Sequence, residues 1–565
     1  QLRAGQAPWA TATGLVVRGY VSKIDGSVQP YGLVVPASFQ ERTPHRFRLD
    51  VWCHGRGETL SELNFIIGRQ SSPGEFLPPN AFVLHPYGRF CNAAKFAGEI
   101  DVFEALEHIK QHYPIDDDRL VMRGFSMGGA ACWHLAVHYP SSLAAAAPGA
   151  GFSETFDFLK TFQGETLDPT WYERKLWHLY DATDYAINLF NCPTVAYSGD
   201  MDRQKQAADL MERALAAEKI RLVHIIGENI AHAYTAAGKV EINRRIDSLA
   251  VAGRELVPEL VHFTTWTLRY NRSCWVEVDG MEQHWNRARV DAQLLKGGAA
   301  DARIATENVA GLTLSFPAGY CPFDLVKKPR IEIDKTVLEA PQPLSDRSWV
   351  AHFGKVGGKW QAIESVDSLQ PAGTLQKRHG LQGPIDDAFM DSFLMVSPTG
   401  PALNDKVGKW AAGEMQHAVE HWRRQFRGDA RMKADKDITE ADIAAHNLVL
   451  WGDPSSNAVL AKIADQLPIR WTKDGVQVGE KKFASGQFVP VLVYPNPLNP
   501  RRYVVVNSGF TYREYDYLNN ARQVPKLPDF AVIDIGVPVS SKSPGGIATA
   551  GFFSENWQLP AAGKE

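Results

Sequence analysis

Cysteine is scarce in this sequence. Six cysteines occur among 565 residues, and no two of them form a C-x-x-C pair. A disulfide scaffold needs a far denser set of cysteines, and a structural zinc site needs paired ligands. The sequence therefore excludes a small disulfide-rich protein and gives no sign of a structural metal site.

Nucleotide-binding and metalloenzyme motifs are also absent. The chain has no G-x-x-x-x-G-K-[ST], no H-E-x-x-H and no strand-linked G-x-G-x-x-G. The sequence therefore contains no motif for a phosphate-binding loop, a zincin metalloprotease site or a dinucleotide-binding site. His417 and His421 are four residues apart, a metal-compatible spacing, but Glu414 and Glu420 beside them indicate a solvated helix face. We predict neither a metal ion nor a cofactor.

Neither an excess of one charge nor a long apolar run is present. Lys and Arg number 60 against 64 Asp and Glu, a net charge of −4, whereas nucleic-acid binding needs clustered cations. No run approaches the roughly 18 apolar residues that a membrane helix requires. We expect neither nucleic acid nor a membrane as a partner.

The amino terminus is typical of an exported protein. Gln1 opens the chain without a Met and without a charged-then-apolar leader, as in a mature secreted protein or a fragment prepared for expression. Asn271-Arg272-Ser273 fits the acceptor pattern for N-glycosylation. We expect a secreted or periplasmic bacterial protein whose signal peptide has been removed.

Hydrophobic patterning divides the chain into three regions, where about 150 residues per domain would allow three or four. Residues 1–256 alternate strand-like and helix-like segments, which predicts a mostly parallel sheet covered on both faces. Residues 257–380 contain short β-like runs and predict an all-β, sandwich-like module. Residues 381–565 return to the alternation and predict a smaller α/β domain.

A single G-x-S-x-G pattern occurs at residues 124–129 (GFSMGG), between an apolar strand and a helix of small residues. A sharp strand-to-helix turn needs glycines because a Cβ would clash there, and it exposes the serine at a helix amino terminus. We interpret Ser126 as a nucleophile, with a glycine-rich turn capped by a serine as the alternative.

Two later strand ends carry the partners that a serine nucleophile needs. The strand over 194–198 is followed by residues 199–202 (GDMD). Asp202 is our candidate acid, and Asp200 is the alternative that could instead fix the turn. The strand over 221–226 leads to His232, the candidate base.

Backbone N–H groups beside Ser126 are the expected oxyanion donors. The loop at residues 52–58 (WCHGRGE) follows the third strand, and its glycines allow the N–H of Arg56 to turn towards the serine. Met127, directly after the serine, supplies the second N–H.

With these residues in place, the first 256 positions resemble an α/β-hydrolase of the prolyl-oligopeptidase-like and secreted-esterase type. The resemblance rests on residues 54–57 (HGRG), the 124–129 motif, residues 199–202 and His232, and it extends to feruloyl-esterase-like and polyhydroxybutyrate depolymerase-like bacterial proteins. It implies metal-independent acyl transfer. Ser126 attacks a carbonyl, His232 moves the proton, Asp202 orients the imidazole, and water resolves the acyl-enzyme.

The chain departs from prolyl oligopeptidases in two respects. Prolyl oligopeptidases carry a β-propeller before the hydrolase domain, whereas in this chain only a few dozen residues precede the first strands. The loop that carries the candidate acid also lacks the Asp-Asp or Glu-Asp ending that is usual in those enzymes. We expect a carboxylesterase acting on an apolar, aromatic or carbohydrate-linked ester, small or polymer-linked. A serine peptidase is one alternative. The other is a carbohydrate-binding or scaffold role dominated by residues 257–565, with polysaccharide contact through these C-terminal domains.

An aromatic-rich insert precedes the acid strand. Residues 152–191 hold ten aromatic residues in 40 positions. In this fold we expect such an insert to cover the mouth of the site, with Trp171 and Trp177 binding substrate. Tyr87 and Arg89 follow another strand end and are further substrate-binding candidates.

Overall fold

The computed structural model describes residues 7–40, 44–57, 60–369 and 373–560. Its amino-terminal part builds one sheet from eight strands: β1 (Gly14–Val21), β2 (Val28–Val35), β3 (Phe47–Cys53), β4 (Ala81–Pro86), β5 (Ile115–Phe125), β6 (Ala145–Gly149), β7 (Val195–Gly199) and β8 (Val223–Gly227). The order across the sheet is β1-β2-β4-β3-β5-β6-β7-β8. The β1–β2 and β2–β4 pairs are antiparallel, and the later pairs are parallel.

Helices cover both faces of this sheet. They are α1 (Glu62–Ser71), α2 (Ala97–His112), α3 (Met127–His138), α4 (Trp171–Trp177), α5 (Lys205–Ala217) and α6 (Ala236–Ala252). Because side chains alternate across a strand, Val51 enters the core that contains α2 and α3 residues, whereas Trp52 enters the core that contains α6 residues. The strand order and the two covered faces confirm the predicted α/β-hydrolase fold.

The middle of the chain is all β, as predicted. Its strands are β9 (Leu260–Thr265), β10 (Arg272–Ser273), β11 (Val276–Met281), β12 (Ala288–Leu294), β13 (Ala302–Glu307), β14 (Val309–Phe316), β15 (Arg330–Ile333), β16 (Thr336–Glu339), β17 (Trp349–Val356) and β18 (Lys359–Ile363). They form two five-stranded sheets, β10-β11-β14-β17-β18 and β16-β15-β13-β12-β9. Alternating residues such as Val276 and Val278 from one sheet and Val290 and Ile304 from the other share a single core.

The C-terminal part is a second α/β unit. Its elements are β19 (Phe393–Ser397), α7 (Asp405–Phe426), β20 (Met432–Ala434), α8 (Glu440–Ala445), β21 (Asn447–Leu450), α9 (Ala458–Ile463), β22 (Arg470–Thr472), β23 (Gly475–Val478), β24 (Lys481–Ala484), β25 (Phe488–Asn496), β26 (Asn499–Val506), β27 (Phe530–Asp534) and β28 (Gly546–Gly551). Seven strands form a mixed sheet, β20-β19-β21-β26-β25-β27-β28, and β22-β23-β24 form a small one. No helix in the described ranges is long and apolar enough to cross a membrane.

The C-terminal unit contacts the hydrolase part at a buried ion pair of that part. The Arg89 guanidinium donates from Nη1 to Asp25 Oδ2 (2.8 Å) and from Nη2 to Asp25 Oδ1 (3.1 Å). Two α7 residues complete the contact: the Trp422 indole donates to Asp25 Oδ2 (2.9 Å), and the Phe426 carbonyl accepts from Arg89 Nη1 (3.2 Å). Both charged side chains are fully buried, so the two units share one core.

A second polar junction ties all three regions together. Arg269, from the β region, lies between Glu99 of α2 (3.7 Å) and Asp387 of the C-terminal part (3.5 Å). The Tyr270 hydroxyl donates to Glu99 Oε2 (2.7 Å). Burial is the largest influence on Glu99 and raises its pKa, while Arg269 opposes that effect.

Breaking the Arg89–Asp25 pair should destabilise the folded protein. We expect Arg89→Met to lower the free energy of unfolding by about 3–5 kcal/mol, because Asp25 is left buried without its counter-ion. Chemical denaturation followed by tryptophan fluorescence measures the change. Arg423→Met is the matched control, because Arg423 lies on α7 beside Trp422 but is exposed and pairs with Asp429 in solvent. Equal losses in the two variants would contradict the interpretation.

Candidate active site

Ser126 lies at a strained turn between β5 and α3. Its backbone has φ 58°, in the left-handed region that residues with a side chain seldom adopt and that is frequent at functional sites. The Ser126 N–H donates to the Gly149 carbonyl (2.8 Å), and its own carbonyl accepts from the Ala130 N–H (3.1 Å). The turn therefore places the Ser126 side chain at the amino terminus of α3.

Two glycines make this turn possible. A Cβ on Gly124 would lie 2.0 Å from the Gly128 carbonyl oxygen, and one on Gly128 would lie 2.0 Å from the Cys53 carbonyl oxygen. Both obstacles are backbone atoms, which cannot rotate away as a flexible side chain could. The glycines of the sequence motif are therefore required by the close approach of β3, β5 and α3.

His232 and Asp202 are brought together from two strand ends. The distance from His232 Nδ1 to Asp202 Oδ2 is 2.7 Å. The other Asp202 oxygen accepts from the Gln204 N–H (2.8 Å), so the carboxylate is anchored at both atoms. The Asp202 side chain is 4% exposed and that of His232 is 38% exposed. The acid is buried behind an imidazole that substrate can reach.

Asp200, the alternative acid, contacts backbone N–H groups and not the His232 ring. Its carboxylate accepts from the N–H groups of Asn229 (3.0 Å) and Ile230 (3.1 Å), and these bonds hold the pKa of Asp200 below its usual value. Asp200 thus fixes the loop that carries His232 and does not contact the imidazole.

His232 packs next to the turn that carries Ser126. The His232 ring packs on Phe125, the residue before the serine, at 4.8 Å between centroids. Within the described residues, no direct hydrogen bond joins Ser126 to His232. Hydrogen bonds of this kind are commonly long before substrate binds and shorten in the complex. With Nδ1 held by Asp202, Nε2 is the ring atom that remains for a proton transfer.

The loop expected to supply an oxyanion donor lies against the serine. A Cβ built on Gly55 would be 3.9 Å from Ser126 Cβ, so the backbone before Arg56 approaches the serine closely. The Met127 N–H, at the first position of α3, is one of the N–H groups that a helix leaves without an internal partner. An N–H from each of two segments can therefore converge on one oxygen atom.

Two substrate-binding predictions from the sequence are wrong. Tyr87 is fully buried, and its hydroxyl donates to the Leu60 carbonyl (3.1 Å), while its own carbonyl lies 2.9 Å from His54 Nε2. It anchors the loop beside the serine rather than contacting substrate. Arg89 is fully buried in the ion pair with Asp25 and has no access to the site.

A cleft of about 660 Å³ opens beside Phe125 and His232. Its apolar wall is a series of packed rings. Trp52, Phe125 and Tyr234 line the cleft, and the Tyr234 ring lies 4.7 Å from that of Phe125. Behind them the buried Phe76 packs on Trp52 (5.6 Å) and on Tyr234 (5.3 Å). Such a wall suits an aliphatic or aromatic group of a substrate.

The aromatic insert does not line this cleft, contrary to prediction. Trp171 packs on Phe552 of the C-terminal part at 5.9 Å, and Trp177 packs on Phe156 of the insert itself at 5.9 Å. Phe158 shares a small core with Ala521. These aromatic residues of the insert pack on the C-terminal part or on one another, which the sequence of the insert alone does not reveal.

Helix α1 forms the wall that sequence reasoning missed. The cleft is lined by Asn64 and Gly68, which are four residues apart on one face of the helix, and by Leu60 and Ser72, which lie just before and just after it. This four-residue spacing was the available signal. Arg69, on the adjoining face, also lines the cleft.

One group in the described residues could approach a metal ion: Asp209, Glu212 and His224, on α5 and β8. Lys205 already donates to Asp209 Oδ1 (2.6 Å), and the His224 ring lies 3.0 Å from the Ser198 hydroxyl. The group is therefore a partly exposed polar cluster whose members already contact other side chains. His417 contacts Glu514 (2.6 Å) and forms no metal-ligand set with His421.

Comparison with known proteins gives one family match. Residues 96–238 match the sequence model of the prolyl oligopeptidase family. Comparison with curated protein sequences gives no match.

Several solved structures are similar to the amino-terminal part. A thermostable esterase has 16% identity and a TM-score of 0.31 over 43% of this chain and 63% of its own. An S-formylglutathione hydrolase from Agrobacterium tumefaciens has 17% identity and a TM-score of 0.31, over 43% of this chain and 96% of its own. A Pyrococcus horikoshii acylaminoacyl peptidase has 14% identity and a TM-score of 0.30, over 42% of this chain and 40% of its own.

The strand order, the strained serine turn and the family match over residues 96–238 support one assignment. The amino-terminal part of the chain has the α/β-hydrolase fold, and residues 96–238 are similar to the prolyl oligopeptidase family.

Proposed function

We propose that the protein is a carboxylic ester hydrolase whose triad is Ser126, His232 and Asp202. The observation that carries the proposal is the 2.7 Å contact between His232 Nδ1 and the buried Asp202 carboxylate, next to a serine in a strained turn. Asp202 holds the imidazole with Nδ1 protonated, so that Nε2 accepts the proton of the Ser126 hydroxyl during attack.

The reaction then proceeds in two halves. Ser126 Oγ bonds to the ester carbonyl carbon, and the N–H groups of Met127 and Arg56 stabilise the oxygen that becomes negative. His232 returns its proton to the leaving alcohol as the C–O bond breaks. A water molecule, deprotonated by His232, releases the acid from the acyl-enzyme and regenerates the serine.

The cleft favours an ester over a peptide with a free amino terminus. Binding such a terminus calls for a carboxylate free to pair with an ammonium group. Within the described cleft lining, Glu75 is the one carboxylate, and it is already bound to Lys239. The ring wall accepts an apolar or aromatic group, and the open cleft also admits an ester linked to a carbohydrate or polymer.

Replacing the serine should abolish turnover. We expect Ser126→Ala to lower kcat for a p-nitrophenyl ester by about four to six orders of magnitude, because no acyl-enzyme can form. A fluorophosphonate probe should label the parent protein, with the adduct mapped by mass spectrometry to the peptide containing Ser126. Ser153→Ala, which removes a buried hydroxyl bonded to the Ala207 carbonyl, is the control. Labelling at another serine would contradict the proposal.

Substitution of Asp202 should lower kcat far more than substitution of Asp200. Asp202→Asn leaves the packing intact but presents an amide that favours the wrong tautomer of His232, and we expect kcat to fall by about 10⁴-fold. Asp200→Asn keeps an oxygen that can accept a backbone N–H, so its activity should stay close to that of the parent. Steady-state kinetics on both variants tests the assignment, and a larger loss in Asp200→Asn would reverse it.

A substrate panel separates ester from amide hydrolysis. We expect aryl and alkyl esters to be turned over far faster than matched peptide anilides, because the proposed site has no free group for a peptide amino terminus. Equal kcat/KM on both sets would favour a peptidase.

Retention of full-length Ser126→Ala protein on immobilised plant or algal glycans tests polysaccharide contact through the C-terminal regions.

A further inference from the structure

The last turn of α1 carries a cation into the cleft that the proposed function does not use. Arg69 lines the same cleft as Phe125 and His232. Its guanidinium donates from Nη1 to His85 Nδ1 at 3.0 Å, and that is its one hydrogen bond to the described residues. The Nε and Nη2 N–H groups are therefore left for another acceptor.

The position of Arg69 is built into the surrounding backbone. Its aliphatic stem crosses Gly32 so closely that a Cβ there would lie 2.5 Å from Arg69 Cγ. His85 Nε2 donates to the Pro73 carbonyl (3.0 Å), which leaves Nδ1 as the acceptor for Arg69. A Cβ on Gly74 would lie 2.6 Å from His85 Cε1. Gly32 and Gly74 thus leave space for the Arg69–His85 pair, in which Arg69 is held at its aliphatic part and at its guanidinium.

Arg69 has no carboxylate partner among the described residues. Burial lowers its pKa, and no neighbouring carboxylate opposes that effect. The other cationic side chain of the cleft, Lys239, is bound to Glu75. Burial and the neighbouring guanidinium together lower the pKa of His85 to about 3, so the imidazole stays neutral and adds no charge.

We propose that Arg69 binds a carboxylate on the substrate, so that the enzyme hydrolyses acidic esters. The argument rests on the proposed esterase function. A guanidinium matches the planar carboxylate with two parallel N–H donors, and Nε with Nη2 is such a pair. A partly buried cation kept without a counter-ion is unfavourable, and an anionic ligand removes that penalty only when bound.

The position of Arg69 on α1 bears on the form of the substrate. Helix α1 begins at Glu62, and Arg69 follows seven residues later, about 10 Å along the helix axis at about 1.5 Å per residue. A carboxylate bound by Arg69 belongs to a part of the substrate other than the scissile ester, as in the half-ester of a dicarboxylic acid.

The test compares charged and neutral substrates of equal shape. One series consists of p-nitrophenyl half-esters of dicarboxylic acids of increasing length, each matched with its methyl-capped neutral counterpart. A second series places the carboxylate on the leaving group, with 4-carboxyphenyl and 4-carbamoylphenyl acetates. We expect Arg69→Gln to lower kcat/KM for the charged member of at least one series by about 10- to 100-fold, with the neutral member unchanged. Arg69→Lys, a point charge, should retain part of the preference.

A binding measurement separates this inference from the esterase proposal. Calorimetry with the Ser126→Ala protein should detect a free dicarboxylate such as suberate, and adding Arg69→Gln should abolish the heat. Arg213→Gln, at an exposed position of α5, should leave it unchanged. If charged and neutral substrates respond equally to Arg69→Gln and suberate binding persists, the inference is overturned while the esterase stands. If Ser126→Ala retains full turnover, the esterase proposal fails, and calorimetry alone decides the role of Arg69.

Discussion

The close backbone contact among β3, β5 and α3 is the constraint on which the site depends. Gly128 brings the first turn of α3 against the Cys53 carbonyl, at a distance that no side chain would allow. This contact forces Ser126 into the left-handed region and at the same time brings the segment after β3 beside it. Ser126 and the loop that we propose as an oxyanion donor are therefore positioned by the same packing contact, so a change that widens the turn would displace both.

The strand ends explain why so much of the site was predictable. In a parallel sheet the carboxyl ends of the strands meet at one edge, so Asp202 and His232 could be placed near Ser126 from the order of segments alone. Choosing between Asp200 and Asp202 depended on where the intervening turn points each side chain. In the structure the two carboxylates have different contacts, since Asp200 accepts from the N–H of Asn229 and Asp202 contacts His232, and we propose Asp202 as the acid on that ground.

Arg89 shows what local sequence could not reveal. It follows a strand end as a binding residue would, yet one acceptor of its guanidinium is the carbonyl of Phe426, 337 residues away. Trp171 packs on Phe552 in the same way. Both predictions treated a hydrolase domain as having a free surface, whereas the C-terminal part covers it. Long-range burial of this kind leaves no periodicity in the segment that becomes buried.

The covering of that surface bears on where specificity can reside. The insert and the residues around Arg89 take part in domain packing, so the cleft is lined instead by α1, Tyr234 and the start of α6. Along this side, Lys239 and Glu75 neutralise each other, and His85 is held neutral by burial beside Arg69. The cleft thus presents an apolar ring wall, one balanced ion pair and one unbalanced guanidinium. In a partly desolvated space an unbalanced charge dominates the local field, which is the physical basis for the anionic substrate that we propose.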